Sequence, residues 1–289
     1  MKRVLPCIGT ALAALACATP APDPVTPIAA GDTLAVAPPP PPLATAIRLG
    51  PSALRYTVHR RLRVEQELAG QPPTEMSYRV FLTAIITGPA DSAGYPVSHA
   101  VDSLVADSGS FVPPTVNFAA ARGLRFTGRL AASGEMRDVT PSDSITARQF
   151  AQFLGNPRDF YPRLPPDGLT ATAAWTDTLT TTERSSAGEV RVHAIQQAAA
   201  VGWEARGGVP CLKVEVRGTF AMEGVGEQAG QPYELTGSGT RRAVEFVSRD
   251  GRYLGGETRD SMNLAVSLPA QGVTIPIRQV LHSTVTVLP

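Results

Sequence analysis

The sequence has few cysteines, few lysines and few aromatic residues. The low cysteine and aromatic contents each argue against a particular class of protein. Three cysteines and two lysines occur among 289 residues, and aromatic residues make up 6% of the chain. So few cysteines exclude a disulfide-rich scaffold. The aromatic content is low for a membrane barrel, whose strands carry two aromatic girdles. With 26 basic and 25 acidic residues, the chain as a whole lacks a charge excess that would favour nucleic acid or an anionic surface.

The first residues have the composition of a secretory signal. Lys2 and Arg3 precede an apolar run, residues 4–16. That run is shorter than the roughly 20 residues that a membrane-spanning helix requires, but it fits a signal peptide. Two interpretations of the cleavage at the Ala16–Cys17 bond remain open. Ordinary signal peptidase would cut after Ala14-Leu15-Ala16 and release a soluble exported protein, whereas a lipoprotein signal would end between Ala16 and Cys17.

The stretch 13–17, "AALAC", resembles the lipobox of bacterial lipoproteins, and it departs from the strongest form at Ala14, where that form has leucine. The resemblance implies a diacylglyceryl thioether and an N-acyl chain on Cys17. Several acyl chains hold a protein stably on a membrane. Ala18, where aspartate would favour the inner membrane, points to the outer membrane. We therefore predict an exported protein that is anchored to the outer membrane, on its periplasmic side or at the cell surface.

The composition predicts three segments: a signal peptide (1–16), a tether (17–46) and a single β-rich domain (47–289). The tether contains five consecutive prolines, residues 38–42, which favour a stiff polyproline II spacer of about 16 Å. If Cys7 leaves with the signal and Cys17 is acylated, Cys211 has no disulfide partner. Its place in an alternating run predicts a buried, inert thiol.

Residues 47–289 largely alternate between apolar and polar, which is typical of strands with one buried face. In residues 54–68 the even positions are apolar except Arg60 and Gln66, and the odd positions are polar. Breaks such as Asp250-Gly251 predict hairpins between successive runs. Alternating runs such as residues 54–68 are long for β-strands, and long strands twist strongly. We therefore predict a mainly β fold with about ten long strands in a curved antiparallel sheet or open barrel.

One or two short helices should pack on this sheet. Residues 140–157 predict a helix that Ser142 or Asp143 caps and Gly155 ends. Its predicted apolar side consists of Ile145, Phe150, Phe153 and Leu154. A weaker helical pattern covers residues 115–122. Such a helix must cover an apolar face of the sheet, because its own apolar side needs burial.

From about Leu124 onward, five stretches of the sequence, taken in order, resemble those of a known family. They are "FTGRLAASGEMRDV", "YPRLPPDGLTATAAWTDT", "GVPCLKVEVRG", "GSGTRRAVEFVSRDGRYLGGETRDSMNLAVSL" and "VTIPIRQVLHSTVTVL". Together they resemble an uncharacterised family of bacterial envelope proteins, often lipoproteins, with a β-rich domain. The sequence departs from the family at residues 172–174. The family has no established activity, so the resemblance implies no functional residues. The predicted architecture also resembles the open-barrel carriers that shuttle lipoproteins or lipids across the periplasm.

No constellation of catalytic or metal-binding residues is present in the sequence. The histidines, His59, His99, His193 and His282, lack metal-ligand spacing. His59 falls on the polar face of its strand, which predicts a solvated side chain. Ser238 lies in "TGSGT", but the strand pattern continues past it, so we interpret its flanking glycines as a bend or bulge. We predict a non-enzymatic protein with no catalytic residues, no metal and no cofactor.

Two functions remain open at this point. The curved sheet either shelters an apolar ligand such as an acyl chain, or serves as a structural or interaction module for another envelope protein. The expected partners are thus the membrane, through the anchor at Cys17, and an apolar ligand or an envelope protein, but no nucleic acid. The sequence does not define the oligomeric state. A continuous apolar cavity of several hundred Å³ would favour the ligand-binding function.

Overall fold

The computed structural model describes residues 46–66, 72–112, 116–185, 188–228 and 230–289. The predicted cleavage site at Ala16, the acylation site Cys17 and nearly all of the tether lie outside the described residues. Among the described residues, no helix has the length and hydropathy needed to span a bilayer.

Eleven strands of the described residues form one antiparallel sheet, which confirms the mainly β prediction of about ten strands. The strands are β1 (Ser52–Gln66), β2 (Thr74–Ile86), β3 (Tyr95–Ala106), β4 (Arg125–Leu130), β5 (Met136–Pro141), β6 (Ala174–Ser185), β7 (Gly188–Arg206), β8 (Val209–Gln228), β9 (Gln231–Ser248), β10 (Tyr253–Leu268) and β11 (Val273–Val287).

The strand order is β5-β4-β3-β2-β1-β11-β10-β9-β8-β7-β6. Two meanders, β1–β5 and β6–β11, therefore share one sheet. They join where β1 pairs with β11, from Tyr56 opposite Val287 to Gln66 opposite Ile277. Strands β5 and β6 are the two edges and form no ladder with each other among the described residues, so the sheet is open.

The predicted hairpins are present where the turn chemistry placed them. Gly134 between β4 and β5 has φ 92°, and Gly251 between β9 and β10 has φ 79°. Both values lie in the left-handed region that glycine adopts without strain. At Gly251 an added Cβ would also collide with the backbone carbonyl of Arg48, so the turn packs closely on the start of the domain.

The chain between the two edge strands, residues 142–173, crosses the inner face of the sheet and carries the one α-helix among the described residues. Helix α1 (Ser144–Leu154) is capped by Asp143, whose side chain accepts hydrogen bonds from the backbone N–H groups of Ile145 and Thr146, and it ends at Gly155. The predicted helix and cap are confirmed. The weaker helical pattern of residues 115–122 contains a short 3-10 turn (Phe118–Ala121).

Phe150 and Phe153 form the buried side of α1, as predicted. Ile145, however, is 70% exposed, so its predicted place on the apolar side is wrong. It lies in the first turn, beside the cap and ahead of the part of the helix that reaches the sheet. Phe153 packs against Tyr78 of β2 with ring centroids 5.4 Å apart, which fixes the second half of the helix on the inner face.

The glycines around Ser238 do not form a bulge, which was one of the two predicted alternatives. Strand β9 pairs in continuous register with both neighbours there, and the irregularity with β10 lies between Tyr253 and Gly256 instead. A Cβ at Gly239 would collide with the ring of Phe220 on β8. The glycine is therefore explained by the close approach of a neighbouring aromatic ring.

Candidate functional site

A cavity of about 350 Å³ lies between the inner face of the sheet and the end of the segment that crosses it. Phe126 of β4 and Trp175 of β6 both line this cavity, although nine positions in the strand order separate their strands. At about 4.8 Å per strand a flat sheet would hold them some 43 Å apart. The sheet is thus strongly curved, and its inner face is concave.

The cavity wall is mixed in character. Its apolar part comes from the inward-facing positions of the strands and includes Val58, Val80, Leu82, Val101, Val216 and Val285. These alternate with outward-facing polar residues, which is the pattern that the sequence shows. The inner face is therefore the buried face that the alternation predicted.

Phe160 closes one end of the cavity at the centre of an aromatic cluster. Its ring lies 5.1 Å from Tyr56, 4.9 Å from His99, 5.0 Å from Tyr161 and 5.8 Å from Tyr253, in each case edge to face or steeply inclined. Such geometries are favourable beyond simple burial. The loop after α1 is thus fastened to strands β1, β3 and β10 by one side chain.

His99 is a core histidine with a hydrogen-bond partner. Its Nε2 lies 3.0 Å from the hydroxyl of Tyr161. Burial lowers the pKa of His99 to about 4, so the ring is neutral near pH 7. The side chain therefore belongs to the aromatic cluster, and its hydrogen-bond partner among the described residues is a tyrosine hydroxyl, where a catalytic histidine commonly has a carboxylate.

A belt of charged residues crosses the cavity floor. Arg241 of β9 donates two hydrogen bonds to the carboxylate of Asp260 on β10, each 2.8 Å long. This is the planar, two-pronged pairing that guanidinium and carboxylate groups form most strongly. Asp260 is buried, so this pair holds the two strands together inside the concave face.

Arg60 of β1 belongs to the same belt but has no acidic partner within ion-pair distance among the described residues. Its Nε is buried and forms no hydrogen bond there. Its guanidinium lies against Gly155, where an added Cβ would collide with it, and close to the hydroxyl of Tyr78. The cavity therefore contains one cation whose charge the described residues leave unbalanced.

Glu245 of β9 also lines the cavity. Burial raises its pKa to about 7, although the charge of Arg241 acts in the opposite direction. A carboxyl in this position is partly protonated at neutral pH.

Beyond the charged belt the inner face is largely apolar, and of residues 142–173 only Asp159 lines it. A second cavity of about 200 Å³ lies here beside Arg241 and Asp260. Its apolar lining includes Leu179, Val192, Phe220, Met222 and Met262. All five side chains are half-buried. A largely apolar groove thus continues from the first cavity toward solvent.

A serine, a histidine and an aspartate meet on the outer face, but not as a catalytic triad. His59 Nε2 lies 2.7 Å from Asp107 Oδ2 and 3.1 Å from Ser77 Oγ, and the Ser77 hydroxyl also donates to Asp107. A triad needs histidine between the other two, with a different ring nitrogen facing each. Here the same ring nitrogen, Nε2, faces both Ser77 and Asp107. His59 does lie on the polar face, but it is half-buried and hydrogen-bonded, so the prediction of a solvated side chain is wrong.

Cys211 is a buried free cysteine, as predicted. Its Sγ donates to the backbone carbonyl of Glu204 at 3.0 Å, and burial raises the thiol pKa to about 11. A thiol so rarely ionised is a poor nucleophile. Among the described residues, no group of three His, Cys, Asp or Glu side chains is arranged to hold a metal ion.

One residue of this site could be noticed in the sequence pattern. Arg60 is one of two polar exceptions on the apolar face of its strand, and the structure places it in the cavity. Arg241, Glu245 and Asp260 gave no such signal, because their strands carry charges at neighbouring positions as well. Their convergence depends on strand register.

Comparisons with known proteins do not assign this chain to a family. No protein-family model matches the sequence, and no curated protein matches it. A solved structure of a LolA superfamily protein from Nitrosomonas europaea matches at 13% sequence identity, over 84% of this chain and 89% of that chain, with a TM-score of 0.19. Membership of the uncharacterised envelope family stays a prediction.

Proposed function

We propose that this chain is a non-enzymatic protein of the bacterial envelope that binds an acyl chain or a similar apolar ligand inside its curved sheet. The observation that carries the proposal is the continuity of the apolar inner face. It runs from the cavity of about 350 Å³ past the charged belt into the groove, where Asp159 is the one lining residue of the crossing segment. The first cavity alone falls within the range of about 300–1,000 Å³ that is usual for ligand pockets.

The charged belt supports an amphipathic ligand over a pure hydrocarbon. Arg60 lies in the cavity wall with a buried Nε that has no hydrogen-bond partner among the described residues. Leaving such a donor unpaired costs about 1–3 kcal/mol. A carboxylate or phosphate at one end of a bound acyl chain would instead pair with the charge of the Arg60 guanidinium in the cavity wall, while the chain itself lay along the apolar wall.

Binding of a fluorescent fatty acid, cis-parinaric acid, tests this proposal. We expect saturable binding to the wild-type chain and at least tenfold weaker binding to Ala198→Trp, because Ala198 lines the cavity and an indole there fills it. Ala221→Trp is the matched control, since Ala221 is exposed on the outer face of β8. The control should bind the probe as the wild type does.

Overpacking costs about 1–3 kcal/mol, so thermal unfolding of both variants must show that they fold. Equal affinity of wild type and Ala198→Trp would contradict binding in the cavity. If the wild type binds no fatty acid and no lipid co-purifies with it from native envelopes, the interaction module for another envelope protein replaces this proposal.

The proposal includes export and a lipid anchor at Cys17, with the domain held at the outer membrane. Support for it comes from the basic start, the apolar run and the lipobox-like residues 13–17. Release of a soluble exported protein after cleavage behind Ala16 is the alternative. An acyl-binding domain on a membrane tether would stay close to the source of its ligand.

A further inference from the structure

The outer face of the sheet carries an unbroken row of basic side chains across five adjacent strands. Antiparallel register places them directly opposite one another, in the order Arg217 (β8), Arg242 (β9), Arg259 (β10), His282 (β11) and Arg61 (β1). We call these five residues the arginine row. At about 4.8 Å between strands, it is about 19 Å long.

The arginine row is exposed and its charge is not balanced by ion pairs. All five side chains are exposed. None of the four arginines has a carboxylate within 4.0 Å among the described residues, whereas Arg55, Arg63 and Arg79 of the same face do. Like charges directly opposite each other on neighbouring strands destabilise a sheet. Repulsion within the row thus lowers the stability of the sheet, and no ion pair among the described residues compensates for it.

Acidic residues near the row are mostly engaged elsewhere. Glu215 pairs with Lys213 at 3.5 Å, and Asp107 pairs with Arg79 at 2.9 Å. Glu257 lies two residues from Arg259 on the same strand and has no ion pair with a described residue. A shallow groove of about 420 Å³ runs beside Arg217, Arg242, Arg259 and His282, and Glu215 and Glu257 line its other side. An anion that follows this groove meets several guanidinium groups at once.

The chemistry beside the row favours a headgroup surface over a protein partner. The next register row on one side contains Thr219, Thr240, Ser261 and Val280, so hydroxyl donors dominate it. Protein interfaces usually have an apolar, aromatic-rich centre. Guanidinium and hydroxyl groups match the oxygens of phosphate, which arginine binds through two parallel hydrogen bonds. The length of the row also exceeds what one small anion could neutralise.

We propose that the arginine row docks the outer face of the sheet on an anionic phospholipid surface. Each basic residue near such a surface contributes about fivefold to the partition coefficient. This contact is distinct from the apolar inner face, and it leaves the cavity and its open groove on the opposite side of the sheet.

Vesicle co-sedimentation tests the proposal with the chain from Ala18 onward, which lacks the leader and the thiol that would be acylated. Residues 41–289 form one compact unit, so this chain keeps the complete sheet. Vesicles of equal parts phosphatidylcholine and phosphatidylglycerol are compared with pure phosphatidylcholine vesicles. We expect binding to the anionic vesicles only, and loss of that binding at high ionic strength.

The double variant Arg242→Gln, Arg259→Gln should lower the partition coefficient about 25-fold. Its charge-matched control is Arg129→Gln, Arg137→Gln, whose arginines are half-buried and exposed, respectively, and pair with Asp91 and Glu135 at the other end of the sheet. The control should change binding by less than about threefold. Three results would each overturn the proposal. The two double variants could lose binding to anionic vesicles equally, the wild-type chain could bind neutral vesicles, or it could bind polyglutamate but not anionic vesicles.

Discussion

Phe160 packs edge-on against Tyr56, with ring centroids 5.1 Å apart and planes at 82°. This contact joins the loop after α1 to the middle of β1, where the two meanders of the sheet meet. It closes one end of the cavity, so the stability of the loop and the shape of the candidate site depend on the same side chain.

Phe160→Ala should lower the free energy of unfolding by about 2 kcal/mol. The variant loses four ring contacts and leaves a space beside the cavity, but Phe160 is half-buried, so the cost falls below that of a fully buried phenylalanine. Urea unfolding measures the change. Ile145→Ala is the control on the same segment, because Ile145 is exposed, and it should shift stability by less than about 0.5 kcal/mol. Equal effects of the two variants would contradict the role of Phe160.

His99 should make the protein less stable as the pH falls from 6.5 to 4. Its folded-state pKa of about 4 lies below the ordinary value of 6.5, so the unfolded chain takes up a proton in this window and the folded chain does not. The contribution reaches about 3 kcal/mol at the low end. His99→Gln should flatten the loss of unfolding free energy between these pH values.

The exposed His193, which contacts Thr180 on the neighbouring strand, supplies the control variant His193→Gln. This variant should keep the wild-type pH dependence. Urea unfolding at several pH values compares the three chains. An unchanged slope in His99→Gln would show that the ring is charged or exposed in the folded protein.

Glu245 should act in the opposite direction to His99. Burial raises its folded-state pKa from 4.5 to about 7, so the folded chain holds the proton more tightly and loses stability as the pH rises through this window. Glu245→Gln should therefore match the wild type near pH 4.5 and be more stable above pH 7, by on the order of 2 kcal/mol after allowance for partial exposure. Thermal unfolding at both pH values measures the difference, and a constant offset between the chains would refute it.

Cys17→Ala should release the protein from membranes and abolish incorporation of labelled palmitate in cells. The physical reason is the loss of the acyl chains, whose combined partition into the bilayer holds the domain. Cys211→Ala is the matched cysteine control, because Cys211 is buried in the domain, and it should stay membrane-bound and labelled. Fractionation of cells reports both. Retention of Cys17→Ala on membranes would favour an anchor other than acylation.

Local patterns were sufficient to predict the elements of this fold. Alternation along β1 identified its buried face, Asp143 and Gly155 delimited α1, and Asp250-Gly251 marked a hairpin, because each signal depends on residues close in the chain. The same local logic failed at Gly239. Only the ring of Phe220, brought close by pairing of β8 with β9, explains that glycine.

Alternation within each strand, turn chemistry between strands and one capped helix thus determine that this chain forms a long-stranded antiparallel sheet with a helical crossing. They act over a few residues, so the sequence alone suffices. The tertiary structure decided the rest. Curvature brought Phe126 and Trp175 to one cavity, and register aligned Arg217, Arg242 and Arg259 in one row. Both relationships join residues far apart in the chain, and a shift of one residue would place those side chains on the opposite face.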